Sequence, residues 1–141
     1  MEELKLEEYK DTNKEIENYL SDAITGYGME QLQGAKPFKL YRCYKSEKGK
    51  IIGAVMGSVT TNLLFISHLF VEETSRNKGI GTQLMSAIEQ SAVNSGCNII
   101  RLNTFNMKSH AFYLNSGFTE TTRIKDYMRD FDLVYYHKKI S

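Results

Sequence analysis

The chain is poor in residues that punctuate or staple a fold. It has one proline, Pro37, and no tryptophan. No Pro-rich linker, low-complexity tract or internal repeat divides its 141 residues, so one domain over residues 1–141 is expected. Two cysteines, Cys43 and Cys97, are too few for a disulfide framework and read as reduced thiols. Charge of one sign is scarce too: 18 basic against 17 acidic residues leave a formal net charge of +1. Proteins that grip nucleic acid usually carry a basic face, so no nucleic-acid partner is expected. The opening Met1-Glu2-Glu3-Leu4-Lys5 is charged with no apolar segment behind it, unlike a secretion signal. Thiols and start together predict a cytoplasmic protein.

One run, Ile51–Val71, lacks Asp, Glu, Lys and Arg and is long enough to span a bilayer. Gly53, Gly57, Ser58, Ser67 and His68 argue against that, and Thr60-Thr61-Asn62 breaks the run like a turn. It reads as two buried strands joined in a hairpin, with no membrane partner.

What is present mixes two periods. Ile16, Leu20 and Ile24 predict a helix from Asn13 to about Thr25, interrupted by Gly26 and Gly28. A second short helix is expected from Met29 to Gln33, ending at Gly34. Strands are expected at Phe38–Tyr44, Ile51–Val59 and Leu63–Val71, with a turn at Glu47–Lys50. The clearest helix starts near Ile80 and puts Ile80, Leu84, Ile88 and Ala92 on one face, with Gly96 at its C-terminal cap. Ile99–Thr104 is the next strand, Ser109–Ser116 a short helix closed by Gly117, and Phe118–Thr122 and Leu133–Ile140 the last strands. Short turns between the first three strands favour antiparallel pairing, whereas strand–helix–strand over residues 63–104 favours a parallel pair. The fold class is α/β: a mixed, mostly antiparallel sheet with a central parallel pair, flanked by helices.

Charge is uneven along the chain. Residues 1–20 hold seven acids and three bases, residues 101–141 seven bases and four acids. Solvated surface is the simple reading; an anionic ligand near the C-terminal half is the sharper one.

The segment Arg76-Asn77-Lys78-Gly79-Ile80-Gly81-Thr82 follows a strand and opens the best helix. The first N–H groups of a helix lack internal partners and its dipole is positive there. Two glycines admit a ligand to the backbone, Arg76 and Lys78 add charge, and Thr82 adds a hydroxyl. That chemistry suits a phosphate or pyrophosphate; a glycine turn with two surface cations is the plain alternative. A Walker-type loop is absent, and Leu84 stands where a dinucleotide fingerprint has its third glycine.

Read with its flanks, Leu69 to Met85 resembles motif A of the GCN5-related N-acetyltransferases (GNAT), whose Arg/Gln-x-x-Gly-x-Gly/Ala pattern is filled by Arg76, Gly79 and Gly81. Asn106 to Phe118 resembles that family's second signature, with Asn106, Tyr113 and Gly117-Phe118 at the family spacings. Ser109 replaces the usual alanine and Asn77 a common glycine; both changes are expected to be tolerated. The resemblance covers roughly residues 51–140. It implies an acetyl-CoA-dependent acyltransferase, moving an acetyl group directly to a primary amine of a small molecule or peptide. Acetyl-CoA would lie between Leu63–Val71 and Ile99–Thr104. Main-chain groups near Leu69, Phe70 and Val71 would hold the pantetheine arm. The turn Arg76, Asn77, Lys78, Gly79, Ile80, Gly81, Thr82 would hold the pyrophosphate, and Asn106 and Tyr113 would reach the arm and the sulfur.

Such a transfer needs a proton acceptor, because an alkylammonium has a pKa of about 10.4. It needs a donor to the developing oxyanion, here the main-chain N–H near Val71. It needs an acid for the leaving thiolate, for which Tyr113 is the candidate; packing beside Phe112 is its alternative role. His68, Glu72 and Glu73 are the candidate bases, against a buried, hydrogen-bonded strand histidine and solvated carboxylates. Asp126-Tyr127, between the last strands, lines the acceptor side or forms a turn. Cys97 reads as buried packing. His110 and His137 lack metal-ligand spacing, so no metal is expected. A non-catalytic CoA-binding module and a longer-chain acyl donor are the competing readings. The oligomeric state stays open: dimers are common in the family the chain resembles, and Leu133–Ile140 could serve as an edge strand for a homodimer.

Overall fold

Ile16, Leu20 and Ile24 do recur on one helix, but that helix is longer than its glycines suggest. In the computed structural model, which describes residues 2–31 and 36–140, helix α1 spans Lys14–Gln31. It runs through Gly26 and Gly28, because a helical glycine costs only about 1 kcal/mol relative to alanine. Met29–Gln31 therefore continue α1 instead of starting a second helix; Gln33 and Gly34 lie outside the described residues. Asn13 caps the helix, its Oδ1 accepting the Ile16 N–H at 3.1 Å, and Glu15 and Glu17 sit in the first turn.

The chain divides into two compact units, Met1–Ala35 and Lys36–Ser141. The second is built on a six-stranded sheet. Its strands are β1 (Phe38–Lys45), β2 (Ile51–Thr60), β3 (Leu63–Val71), β4 (Ile99–Thr104), β5 (Thr119–Met128) and β6 (Phe131–Lys139), with helices α2 (Ile80–Asn94) and α3 (His110–Asn115). The spatial order is β1-β2-β3-β4-β6-β5. Only β3 and β4 are parallel, joined through α2; the other pairs are antiparallel.

The core lies between α2 and one face of the sheet. Leu84, Met85, Ile88 and Ala92 of α2 are buried in one cluster with Val55 and Val59 of β2, Leu64 and Ile66 of β3, Ile100 and Leu102 of β4 and Val134 and Tyr136 of β6. Burying a side chain such as Leu84 or Ile88 fully contributes about 2 kcal/mol. Cys97 is buried there too, and burial pushes its thiol pKa up, as suits packing and not a nucleophile.

β3 does not keep one phase. Its pairing with β2 shifts between Met56 and Gly57, so Ser67 is an extra residue, a β-bulge. Leu64 and Ile66 point into the core before it; Leu69 and Val71 pack against the core after it. His68 and Phe70 are thereby turned to the other face and exposed, which corrects the buried alternative for His68. Gly57 sits opposite the bulge because a Cβ there would lie 2.6 Å from the Phe65 carbonyl oxygen.

Two expectations for the last strands fail. β6 is flanked by β4 and β5, so it is no edge; β1 and β5 are the outer strands. Asp126-Tyr127 is not the turn between the strands but part of β5, where the register slips between Ile124 and Met128 and Asp126 adopts φ 49°. The Asp126 N–H is held there by Asp132 Oδ1 at 3.1 Å.

Candidate functional site

Beyond Val71 the chain makes a single 3-10 turn, Glu73–Ser75, and then the glycine turn into α2. Asn77 and Gly79 both take left-handed backbone, φ 62° and 79°. Asparagine is among the few side chains that accept this conformation, which explains its place where glycine is usual. Gly79 is the N-cap of α2. The first helical bond runs from the Gln83 N–H to the Gly79 carbonyl at 3.0 Å, which leaves the N–H groups of Ile80, Gly81 and Thr82 without helical partners. No side chain caps this end and no acid occupies the first turn. A Cβ on Gly81 would stand 3.3 Å from the Phe112 ring.

Arg76 is built into the strand as well as the turn. Its Nε donates to the Val71 carbonyl oxygen at 2.8 Å, and its guanidinium lies 5.3 Å from the centre of the Phe70 ring. A cavity of about 580 Å³ opens here, lined by Leu69, Phe70, Val71, Arg76, Asn77, Gly79, Ile80, Gly81, Thr82 and Asn106. Ser75, Lys108, Ser109 and Phe112 line it too and were missed in the sequence, although three of them fall inside the second signature. Lys78 is exposed and lines no part of it.

The parallel strands part early. β3 and β4 are paired only through Leu63–Ile99, Leu64–Ile100 and Phe65–Arg101, and β4 continues paired with β6 alone. The gap between them holds a second cavity of about 360 Å³, lined from β3 by Ile66 to Phe70, from β4 by Leu102 to Thr104, and by Asn106, Ser109 and Tyr113. The Glu72 N–H bonds to Ile52 across the β2 side. Antiparallel alternation then turns the main-chain groups of Val71 and Leu69 the other way, toward the gap. Asn106 lines both cavities; its Oδ1 accepts the Lys108 N–H at 3.1 Å and shapes the turn into α3.

Tyr113 stands at this gap with its ring between Phe112, Phe118 and Tyr136, at centroid distances of 5.3, 6.0 and 5.3 Å. Burial first, and Tyr136 second, push its pKa above the ordinary tyrosine value. The phenol therefore keeps its proton to higher pH, as an acid must. His68 lines the same gap and also a shallow apolar groove of about 360 Å³ on the outer sheet face, with Tyr41, Cys43, Ala54, Met56 and Phe70. Glu72 and Glu73 line none of these cavities, nor does Asp126. Among the described residues, no three His, Cys, Asp or Glu side chains gather as a metal site. Among the described residues, no helix is long and apolar enough to cross a membrane.

Comparison with known proteins falls on the same elements. The family model described as "Acetyltransferase (GNAT) family" matches residues 3–118. The chain is 27% identical over 109 residues to blasticidin-S acetyltransferase from Streptomyces morookaense, covering 76% of this chain and 80% of that one. An acetyltransferase structure from Bacillus cereus ATCC 14579 superposes with a TM-score of 0.83 at 26% identity, covering 94% and 97% of the two chains. A Bacillus anthracis protein in complex with acetyl coenzyme A superposes with a TM-score of 0.67 at 21% identity, covering 75% and 65%, a likeness of fold.

Proposed function

Because this chain belongs to the GNAT acetyltransferase family, we propose that it moves an acetyl group from acetyl-CoA directly to a primary amine. The observation that carries the reading is the uncapped N-terminus of α2 opening onto a cavity that shares Leu69, Phe70, Asn106 and Ser109 with the gap between β3 and β4, where Tyr113 stands. The residues fit acetyl-CoA. Free N–H groups, the helix dipole and Arg76 suit a diphosphate. The diverging strand edges suit an amide-bearing arm, which bonds main chain as a strand does. When bound, acetyl-CoA supplies the thioester. The fold neighbour in complex with acetyl coenzyme A supports this choice.

The chain's own residues divide the remaining work. Ile80, Gly81 and Thr82 would hold the diphosphate by their N–H groups, and the Val71 N–H the arm beside them. The Leu69 N–H, at the gap with Tyr113, would donate to the carbonyl oxygen as it gains charge, two residues before the Val71 N–H expected from the sequence. Tyr113 gives its proton to the departing sulfur. His68 is the candidate base that stands at the gap, and its exposure leaves it in exchange with water. The apolar groove beside His68 offers the acceptor a largely uncharged surface. The blasticidin-S acetyltransferase among the relatives favours a small-molecule acceptor over a peptide.

Isothermal titration with acetyl-CoA, repeated on Gly81→Glu, tests the site. Binding that is lost in a folded variant supports it; no binding by the wild type overturns it. Thiol release from acetyl-CoA with a panel of primary amines, blasticidin S included, then tests the reaction. Binding without turnover on any amine favours a non-catalytic CoA module, and faster turnover with longer acyl-CoAs a different donor.

A further inference from the structure

Helix α3 is only six residues long, too short to hold its shape unaided, so its position must come from what it touches. Two of its residues touch the same buried ring. His110 and Tyr113 are three apart and share a face of α3. Tyr136 of β6, 1% exposed, lies against both, 5.8 Å from the His110 ring and 5.3 Å from the Tyr113 ring. Its hydroxyl is 2.6 Å from His110 Nδ1. A buried hydroxyl is costly to strip of its partner, so this bond fixes how α3 seats on β6. Among the described residues no hydrogen bond restrains the Tyr113 hydroxyl, whose ring is held by aromatic neighbours alone.

We propose that Tyr136, anchored by His110, is a positioning residue that aims the Tyr113 hydroxyl into the gap between β3 and β4. The inference rests on the reading of Tyr113 as the proton donor. Tyr136 contributes no atom to either cavity and acts only through its neighbour. The charged groups around it are Glu120, its cross-strand partner on β5, and Arg123, bonded to Glu120 at 2.7 Å and to Asp132 at 3.3 Å. That pairing keeps both carboxylates engaged on β5 and β6. Burial, and then Glu120, raise the Tyr136 pKa, so its hydroxyl stays neutral and able to bond His110.

A double-mutant cycle decides the matter. Thiol release from acetyl-CoA is followed with the best amine of the panel for wild type, Tyr136→Phe, Tyr113→Phe and the pair, with the acetyl-CoA dissociation constant measured in parallel. Tyr136→Phe should lower kcat about tenfold, the worth of one hydrogen bond, and leave acetyl-CoA affinity unchanged. In the Tyr113→Phe background it should add almost nothing. His110→Leu should behave as Tyr136→Phe does, while His110→Asn, which can still bond the hydroxyl, should keep most of the rate. In the ligand-free protein, carbon-13 resonances of labelled tyrosines should show the Tyr113 phenol titrating at lower pH in Tyr136→Phe. An equal loss of rate with and without Tyr113, or an unmoved Tyr113 titration, would overturn the proposal. If Tyr113→Phe is fully active while the Tyr113 titration still moves in Tyr136→Phe, the proton-donor reading fails and the contact stands.

Discussion

Helix α1 starts on Asn13, whose side-chain oxygen takes the Ile16 N–H, with Glu15 and Glu17 in the first turn. Helix α2 starts on Gly79, with no side-chain cap, no acid in its first turn, and Arg76 and Lys78 just before it. A side-chain cap and first-turn acids stabilise the first start and are missing from the second. α2 holds its place through Leu84, Ile88 and Ala92, which are almost wholly buried, so its N-terminus is free to be poorly satisfied. The contrast teaches that a helix anchored by its flank can leave its end groups for a ligand.

The sharpest way to break the contrast is to give α2 what α1 has. Thr82→Asp puts a carboxylate in the first turn. Acetyl-CoA affinity should fall about a hundredfold, as a charged hydrogen bond is lost and repulsion gained. The ligand-free protein should become more stable by about 0.5 kcal/mol, read from urea melts. A loss of both would mean a misfolded turn and not an occupied anion site. Arg76→Ala should cost about tenfold in acetyl-CoA affinity. Because Arg76 also holds the Val71 carbonyl, the same change should slow turnover of acetyl-pantetheine, which has no diphosphate; an unaffected truncated donor would confine Arg76 to phosphate binding.

Smaller effects follow. Raising salt from low to high should weaken acetyl-CoA about threefold by screening exposed charges, measured by titration calorimetry. Asn13→Ala should cost α1 about 1 kcal/mol, seen as faster amide exchange at its first turn, with acetyl-CoA affinity unchanged. A matching loss of affinity would erase the distinction between the two helix starts.

Much of the α2 side was legible from residues alone. β3 and β4 begin and end where their apolar runs predict, and the α2 stripe and the helix-ending Gly96 and Gly117 fall at their expected places. What escaped depends on pairing. An alternation begun at Leu64 and Ile66 would put His68 and Phe70 in the core; the extra residue at Ser67 reverses it, and a bulge is set by the neighbouring strand. The β5–β6 hairpin reaches past Thr122 because Asp126 and Arg129 adopt φ 49° and 53° without any glycine to announce it. The interior position of β6 follows from strand order, which no local pattern states. Lys108 and Phe112 join the cavity because α3 folds back toward the start of α2, a tertiary fact.

A sheet ordinarily presents two free margins, and this one presents four. Besides β1 and β5, the facing rims of β3 and β4 are unladdered past Phe65 and Arg101. The middle of the sheet is thus an unfinished seam, and closing it is a free-energy gain that the fold itself does not collect. Whatever laces that seam must share its binding energy with folding, so that an occupant at a hundred times its dissociation constant adds about 2.7 kcal/mol to the unfolding free energy. In this architecture thermal resistance is a reporter of occupancy, and an occupant of the seam would double as a missing structural member.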